Sequence, residues 1–233
     1  MDFHEPVRIA HIAAGSVALC AFWSAAALRK GTERHRLVGR VYLLAMLGII
    51  VTSLPLAGIA FGKGRPVTGS FLLYLVLITA TACFLAWRAV RARRDVGAYL
   101  ATPYRPLAWL NLLAGAAMLL LGLRFGAPLL YGMSVVGLLV GGGMLRFSRR
   151  PADGPGWWLE RHYGGVVGCG VATHIAFLNL GLQRLLPGDF SQPAMYLAWF
   201  GPLVAAVIAT RWLDRRYGRG PAGRRLAQLA TDS

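Results

Sequence analysis

Apolar residues in this chain come in runs of about twenty, and that length constrains the fold more than any other feature. A helix of that length rises ~30 Å, the thickness of a bilayer's hydrocarbon core. Seven such runs can be drawn: 9–28, 37–61, 70–87, 107–123, 127–145, 163–182 and 194–210. Pro55 interrupts the second, and the link between the fourth and fifth is only a few residues around Gly126 and Pro128. Most runs lack the alternating polar face that a helix in water needs, so lipid is their better solvent. Composition agrees: the chain is 56% hydrophobic and 15% charged, with a mean hydropathy of +0.53. A soluble domain carries nearer a quarter charged residues. The sequence therefore predicts an all-α, polytopic transmembrane bundle of seven helices over residues 1–212, followed by a basic tail over 213–233.

The formal charge of +16 raises nucleic acid as a partner, but the charges are confined to the turns between apolar runs. No basic stripe crosses a soluble face and no RNA-binding aromatic motif is present, so nucleic-acid binding is set aside. Alternate turns carry unequal loads. Twenty of the 25 lysines and arginines fall in one set, around Arg29–Arg40, Arg88–Arg105, Arg146–Arg161 and from Arg211 on. The other set holds only Arg8, Lys63, Arg65, Arg124 and Arg184. The positive-inside rule places the richer set in the cytoplasm, with the N-terminus outside and the C-terminus inside. Trp157 and Trp158 read as interfacial anchors, and the basic tail suits anionic lipid headgroups. The first run lacks a basic n-region and a small-residue cleavage site, so it reads as a retained helix.

The residues absent from the runs exclude several chemistries. All nine acids lie in turns or tails. A carboxylate proton relay, cation pathway or zinc site within the bilayer has no residues to build it. Both lysines, Lys30 and Lys63, are in turns, so a retinal-type Schiff base has no amine. HExxH, HxxxH and phosphate-binding glycine loops are missing. Cys20, Cys83 and Cys169 have no CxxC spacing and read as small buried apolar residues.

Histidine remains. His11 lies near the outer end of the first helix and His174 inside the sixth, while His35 and His162 sit near the inner face. An ionisable group in a membrane helix is a functional candidate, and neutral imidazole is the usual axial ligand of haem. His11 shares a stripe with Ala14, Ala18, Phe22 and Ala25, and His174 shares one with Gly170, Phe177 and Gly181. Both combine small residues with an aromatic, as a porphyrin edge requires. Counted from Trp157, His174 is ~24 Å deep, and His11 is ~26 Å from Leu28, so the two could share a depth as axial ligands must. Counted from Tyr163 instead, His174 is only ~17 Å deep and the match fails. His162 and His174 are twelve residues apart, about 120° out of phase, which favours one haem over two stacked on that helix. The bland alternatives are a hydrogen-bonded structural histidine at 174 and a turn-bracing role for His35, with Thr32 as N-cap and Glu33 at the helix's positive end. A zinc site from His35 and His162 lacks further ligands.

Two blocks carry a resemblance. His11, Gly15, Ala18, Leu19, Lys30-Gly31, His35-Arg36, Gly39-Arg40, Tyr42 and Ala45-Met46 form the first. Arg161-His162-Tyr163, Ala172-Thr173-His174-Ile175-Ala176-Phe177 and Asn179 form the second. Together they resemble the bacterial membrane proteins grouped as domain of unknown function 2306. The resemblance implies a multi-pass protein of the bacterial inner (cytoplasmic) membrane and favours His11, His35 and His162 over His174; it supplies no activity. The functional expectation from the histidines is a haem b electron carrier working with a quinone or another redox partner. The alternative is a non-enzymatic transporter, sensor or assembly partner, for which Pro55, Pro202 and the glycine clusters could mark a discontinuous helix.

Overall fold

A computed structural model describes residues 4–151, 156–181 and 192–216. It is all-helical, with no strand among the described residues. The helices are α1 (His4–Ala27), α2 (Glu33–Gly62), α3 (Pro66–Arg91), α4 (Val96–Leu100), α5 (Tyr104–Phe125), α6 (Pro128–Arg149), α7 (Trp157–Ala176) and α8 (Gln192–Arg216), with a π-helical turn, Phe177–Gly181, closing α7. Six of them, α1, α2, α3, α5, α6 and α8, are long and apolar enough to cross a membrane. Of the two that fall short, α4 has only 5 residues, and α7 carries Glu160 and Arg161 in its first turns and is rich in glycine. Its outer surroundings are nonetheless apolar helices, because it packs between α3 and α8. Leu37, Leu44, Leu113, Leu139 and Leu197 stand exposed on the bundle's surface, as side chains facing lipid would.

The turns follow from local chemistry. Thr32 caps α2 by accepting the His35 amide, and Glu33 occupies the first turn, as the sequence predicts. The short link after α5 is a Schellman turn. Gly126 adopts the left-handed conformation at φ 58°. The Ala127 amide then reaches the Gly122 carbonyl at 2.8 Å, and Pro128 opens α6. The short helix α4 has no counterpart in the hydropathy pattern. Asp95 caps it by accepting from the Ala98 amide, and the Arg88 guanidinium holds the carbonyls of Ala98 and Thr102.

Pro55 does not interrupt α2, which runs unbroken from Glu33 to Gly62. The hydroxyls of Thr52 and Ser53 bond back to the carbonyls of Gly48 and Ile49 in the preceding turn, and the one carbonyl that Pro55 deprives of its amide is that of Val51. The last helix also runs past the predicted domain edge at 212, to Arg216; the basic tail from 217 on, and the link 182–191 with Arg184, lie outside the described residues.

Three buried clusters hold the bundle together. One joins Phe71, Tyr74, Met118, Leu130, Met133 and Ile175. A second, at the basic end, gathers Tyr99, Tyr104, Met144 and Phe147, with Trp157 against Tyr99 at 5.0 Å between ring centroids. The third, between α1, α2, α3 and α7, contains Ala18, Ala21, Tyr42, Met46 and Cys169. Glycine allows the closest approaches. A Cβ at Gly165 would lie 2.7 Å from the Ala86 amide nitrogen and 2.8 Å from the Ala82 carbonyl oxygen. Helices α3 and α7 therefore meet backbone to backbone, the small-residue packing that membrane helices use. Gly142, Gly143 and Gly164 face open space, so close packing does not explain the whole of each glycine cluster.

Candidate functional site

Four histidines were candidates, and the structure separates them. His11, on α1, bonds through Nδ1 to the Thr52 hydroxyl on α2 at 2.9 Å. That hydroxyl donates its own proton to the Gly48 carbonyl at 2.7 Å, so the imidazole is the donor in the His11–Thr52 bond. His174, on α7, uses both ring nitrogens. Its Nδ1–H donates to the Gly170 carbonyl at 2.7 Å, and Nε2 accepts from the Trp23 indole N–H at 3.0 Å. The rings of Phe22 and Trp23 meet it edge-on at 5.4 and 5.5 Å. Gly170 makes room for Phe22, whose ring carbons would lie 2.5 Å from an added Cβ.

His11 and His174 are therefore held at different levels. Trp23, the partner of His174, is twelve residues beyond His11 on α1, a rise of ~18 Å. Two axial ligands of one iron must meet across a single atom, so this pair does not form the bis-histidine site that the depth count suggested. The count fails although α7 does begin at Trp157, because the ends of α1 and α7 are not level. Trp157 sits in the aromatic cluster with Tyr99 and Phe147, outside the layer where His35 braces the end of α1.

The other two histidines both lie at the basic end, each tied to a neighbouring helix. His35, in the first turn of α2, bonds through Nδ1 to the Ala25 carbonyl of α1 at 3.1 Å. His162, in the second turn of α7, bonds through Nδ1 to the Ala86 carbonyl of α3 at 3.0 Å. A carbonyl can only accept, so in each ring Nδ1 carries the proton and Nε2 keeps its lone pair. The two imidazoles lie within electrostatic reach of each other. This is the orientation that metal-ligating histidines adopt, with one nitrogen tied to the main chain and the other open to a ligand. The turn-bracing role expected of His35 is present as well, since its side chain ties α2 to the last turn of α1.

Lys30 belongs to the same corner. Its ammonium donates to the carbonyls of Ala25 and Ala26 at 2.9 and 2.7 Å, closing the C-terminus of α1. Burial, and then the nearby charge of Arg216, hold the Lys30 amine below its usual range. Tyr163, next to His162, donates to the Asp214 carboxylate of α8, so α1, α2, α7 and α8 all converge here.

Some relevant side chains carry no recognisable sequence signal. Trp23 and Thr52 become partners of histidines only through helix packing. Cys83 and Cys169, read as inert from their lack of CxxC spacing, bring their sulfurs to 3.2 Å across α3 and α7. No group of three or more metal-binding His, Cys, Asp or Glu side chains occurs among the described residues.

Fold and surface define the class: an all-helical, multi-pass membrane protein. No protein-family model, curated protein or solved structure matches the chain.

Proposed function

We propose that this chain is a seven-span protein of the bacterial cytoplasmic membrane, N-terminus outside, that carries electrons through a b-type haem held by His35 and His162. The matched setting of these two imidazoles supports the reading. Each gives Nδ1–H to a carbonyl of a neighbouring helix and has no bond through Nε2 among the described residues, and the two sit within electrostatic reach. The seventh span in this reading is α7, whose 20 residues rise ~30 Å between two helices that are themselves apolar enough to cross. The orientation rests on the twenty-to-five division of basic residues.

The residues around the pair fit a flat macrocycle in kind. Gly39, one turn beyond His35 on the same helix, faces open space. Lys30 and Arg216 supply positive charge for propionate groups, and the corner is built on four helices. When bound, haem would supply one-electron transfer, tuned by axial ligation and burial. The chain's own part is to fix the ring tautomers, hold both rings in place and exclude competing ligands. A lipid-soluble donor such as a quinone, and anionic headgroups at the basic end, are the partners this placement favours.

The test is an absorption spectrum of the detergent-purified protein, oxidised and then dithionite-reduced. A Soret band with an α-band that sharpens on reduction is expected, lost in His35→Ala and in His162→Ala but kept in His174→Ala. A featureless visible spectrum from cells supplied with haem, or a spectrum that survives both substitutions, overturns the assignment. Reporter fusions at the N-terminus and in successive turns test the seven-span topology separately.

One observation favours a transporter, sensor or assembly partner instead: the π-helical turn Phe177–Gly181 continues α7 where its regular hydrogen bonding ends. Such turns recur at functional sites. Substrate-dependent uptake into vesicles, absent in empty ones, would establish transport.

A further inference from the structure

We infer that Cys83 and Cys169 form a dithiol–disulfide couple that a lipid-soluble quinone oxidises, stapling α3 to α7 inside the bilayer. The sulfurs are 3.2 Å apart, a thiol–thiol hydrogen-bond distance, on helices that touch through their main chains. A disulfide needs Cα atoms within roughly 4.4–6.8 Å, so two helices can share one only where they cross closely. The contacts of Gly165 mark such a crossing. Its Cα approaches the backbone of Ala82 and Ala86, flanking Cys83, and a Cβ on Gly168, beside Cys169, would touch the Ala82 methyl at 3.4 Å. Cys169 is fully buried and Cys83 half-buried, while Cys20 is exposed on another face and is no partner for either.

The chemistry suits this place. The dithiol and the disulfide are both uncharged, so neither form demands solvation in the apolar cluster around Met46 and Ala18. Charged thiol reagents such as glutathione do not enter the hydrocarbon, whereas a quinone dissolves in it. The step balances: the two S–H bonds break, one S–S bond forms, and two electrons and two protons reduce the quinone to the hydroquinone. Tyr42 is a positioning residue for it. Its hydroxyl is buried beside the thiols and has no hydrogen-bond partner among the described residues, although the Thr173 hydroxyl is nearby. It can donate to the sulfur that carries negative charge as the bond forms.

The experiment uses the full chain in lipid nanodiscs, reduced, then exposed to a short-chain benzoquinone, denatured, alkylated with a maleimide and weighed intact. The wild type is expected to fall from three adducts to one, with one hydroquinone formed per chain. Cys20→Ser should fall from two adducts to none, while Cys83→Ser and Cys169→Ser should not change. Tyr42→Phe should reach the same end point several-fold more slowly. Retention of all three adducts, or cross-linking through Cys20, overturns the couple. Oxidation by diamide but not by quinone overturns the quinone assignment. The assay reads mass and is independent of the histidine site.

Discussion

Gly165→Ala, compared with its neighbour Gly164→Ala, isolates what the α3–α7 contact contributes. At Gly165 the new methyl would lie 2.7 Å from the Ala86 amide nitrogen, 2.8 Å from the Ala82 carbonyl oxygen and 2.9 Å from the Ala86 Cα. These are main-chain atoms and cannot rotate away, so the helices must separate. At Gly164 the methyl would meet nothing within 4 Å. Both changes gain the same helix propensity, about 0.5–1 kcal/mol, which cancels in the comparison. What remains is the overpacking cost, about 1–3 kcal/mol. That is roughly a 5- to 150-fold difference between the two variants in the unfolding equilibrium. Equilibrium unfolding in mixed micelles, followed by circular dichroism, reads it directly. The same separation pulls His162 from the Ala86 carbonyl and Cys169 from Cys83, so Gly165→Ala should also slow quinone-driven disulfide formation while Gly164→Ala leaves it unchanged. Equal stability of the two variants, within a few tenths of a kcal/mol, would refute the backbone-to-backbone contact and the geometry built on it.

Three other outcomes are expected. Trp23→Phe removes the indole donor from His174 Nε2 and should destabilise the protein by about 1 kcal/mol on thermal unfolding, the net worth of one hydrogen bond, without changing any haem spectrum. Thr81→Val breaks the buried bond from the Asn111 amide, 2.8 Å long between α5 and α3, at a cost of about 0.6–1.7 kcal/mol by the measure of other membrane helices, read by the same micelle titration. The Lys30 amine is held below its usual range, so between its folded and unfolded pKa values the unfolded chain binds more protons. Stability should then rise as pH climbs toward the ordinary lysine value of 10.5, and that rise should be missing from Lys30→Gln, as pH-dependent unfolding midpoints would report.

Hydropathy was enough to place the long helices, because a run of twenty apolar residues has few other ways to satisfy its backbone in lipid. The Thr32 cap and the turn at Gly126 and Pro128 were legible for the same kind of reason: both are local, decided by residues within a turn of one another. Pro55 was misread as a break because a proline removes a single backbone bond, which a long membrane helix can lose and still run on. The α4 helix was missed because five residues are too few for a periodic signal, and its anchor, Arg88, lies on a different helix.

The sequence by itself determined which residue types the bilayer contains: four histidines at the ends and middle of apolar helices, three cysteines, and no carboxylate or lysine within a run. Those facts depend only on composition and length. Which histidines meet was decided by tertiary structure alone. Depth along one helix predicts a meeting only if the helices are upright and their ends level, and α1 and α7 are offset. The offset separates His11 from His174, hands His174 to Trp23, and leaves His35 and His162 at the basic end, each bonded to the main chain of a neighbouring helix. The thiol pair depends on the fold in the same way. Its two members are 86 residues apart in the chain, and only the approach allowed by the missing side chain of Gly165 sets them in contact.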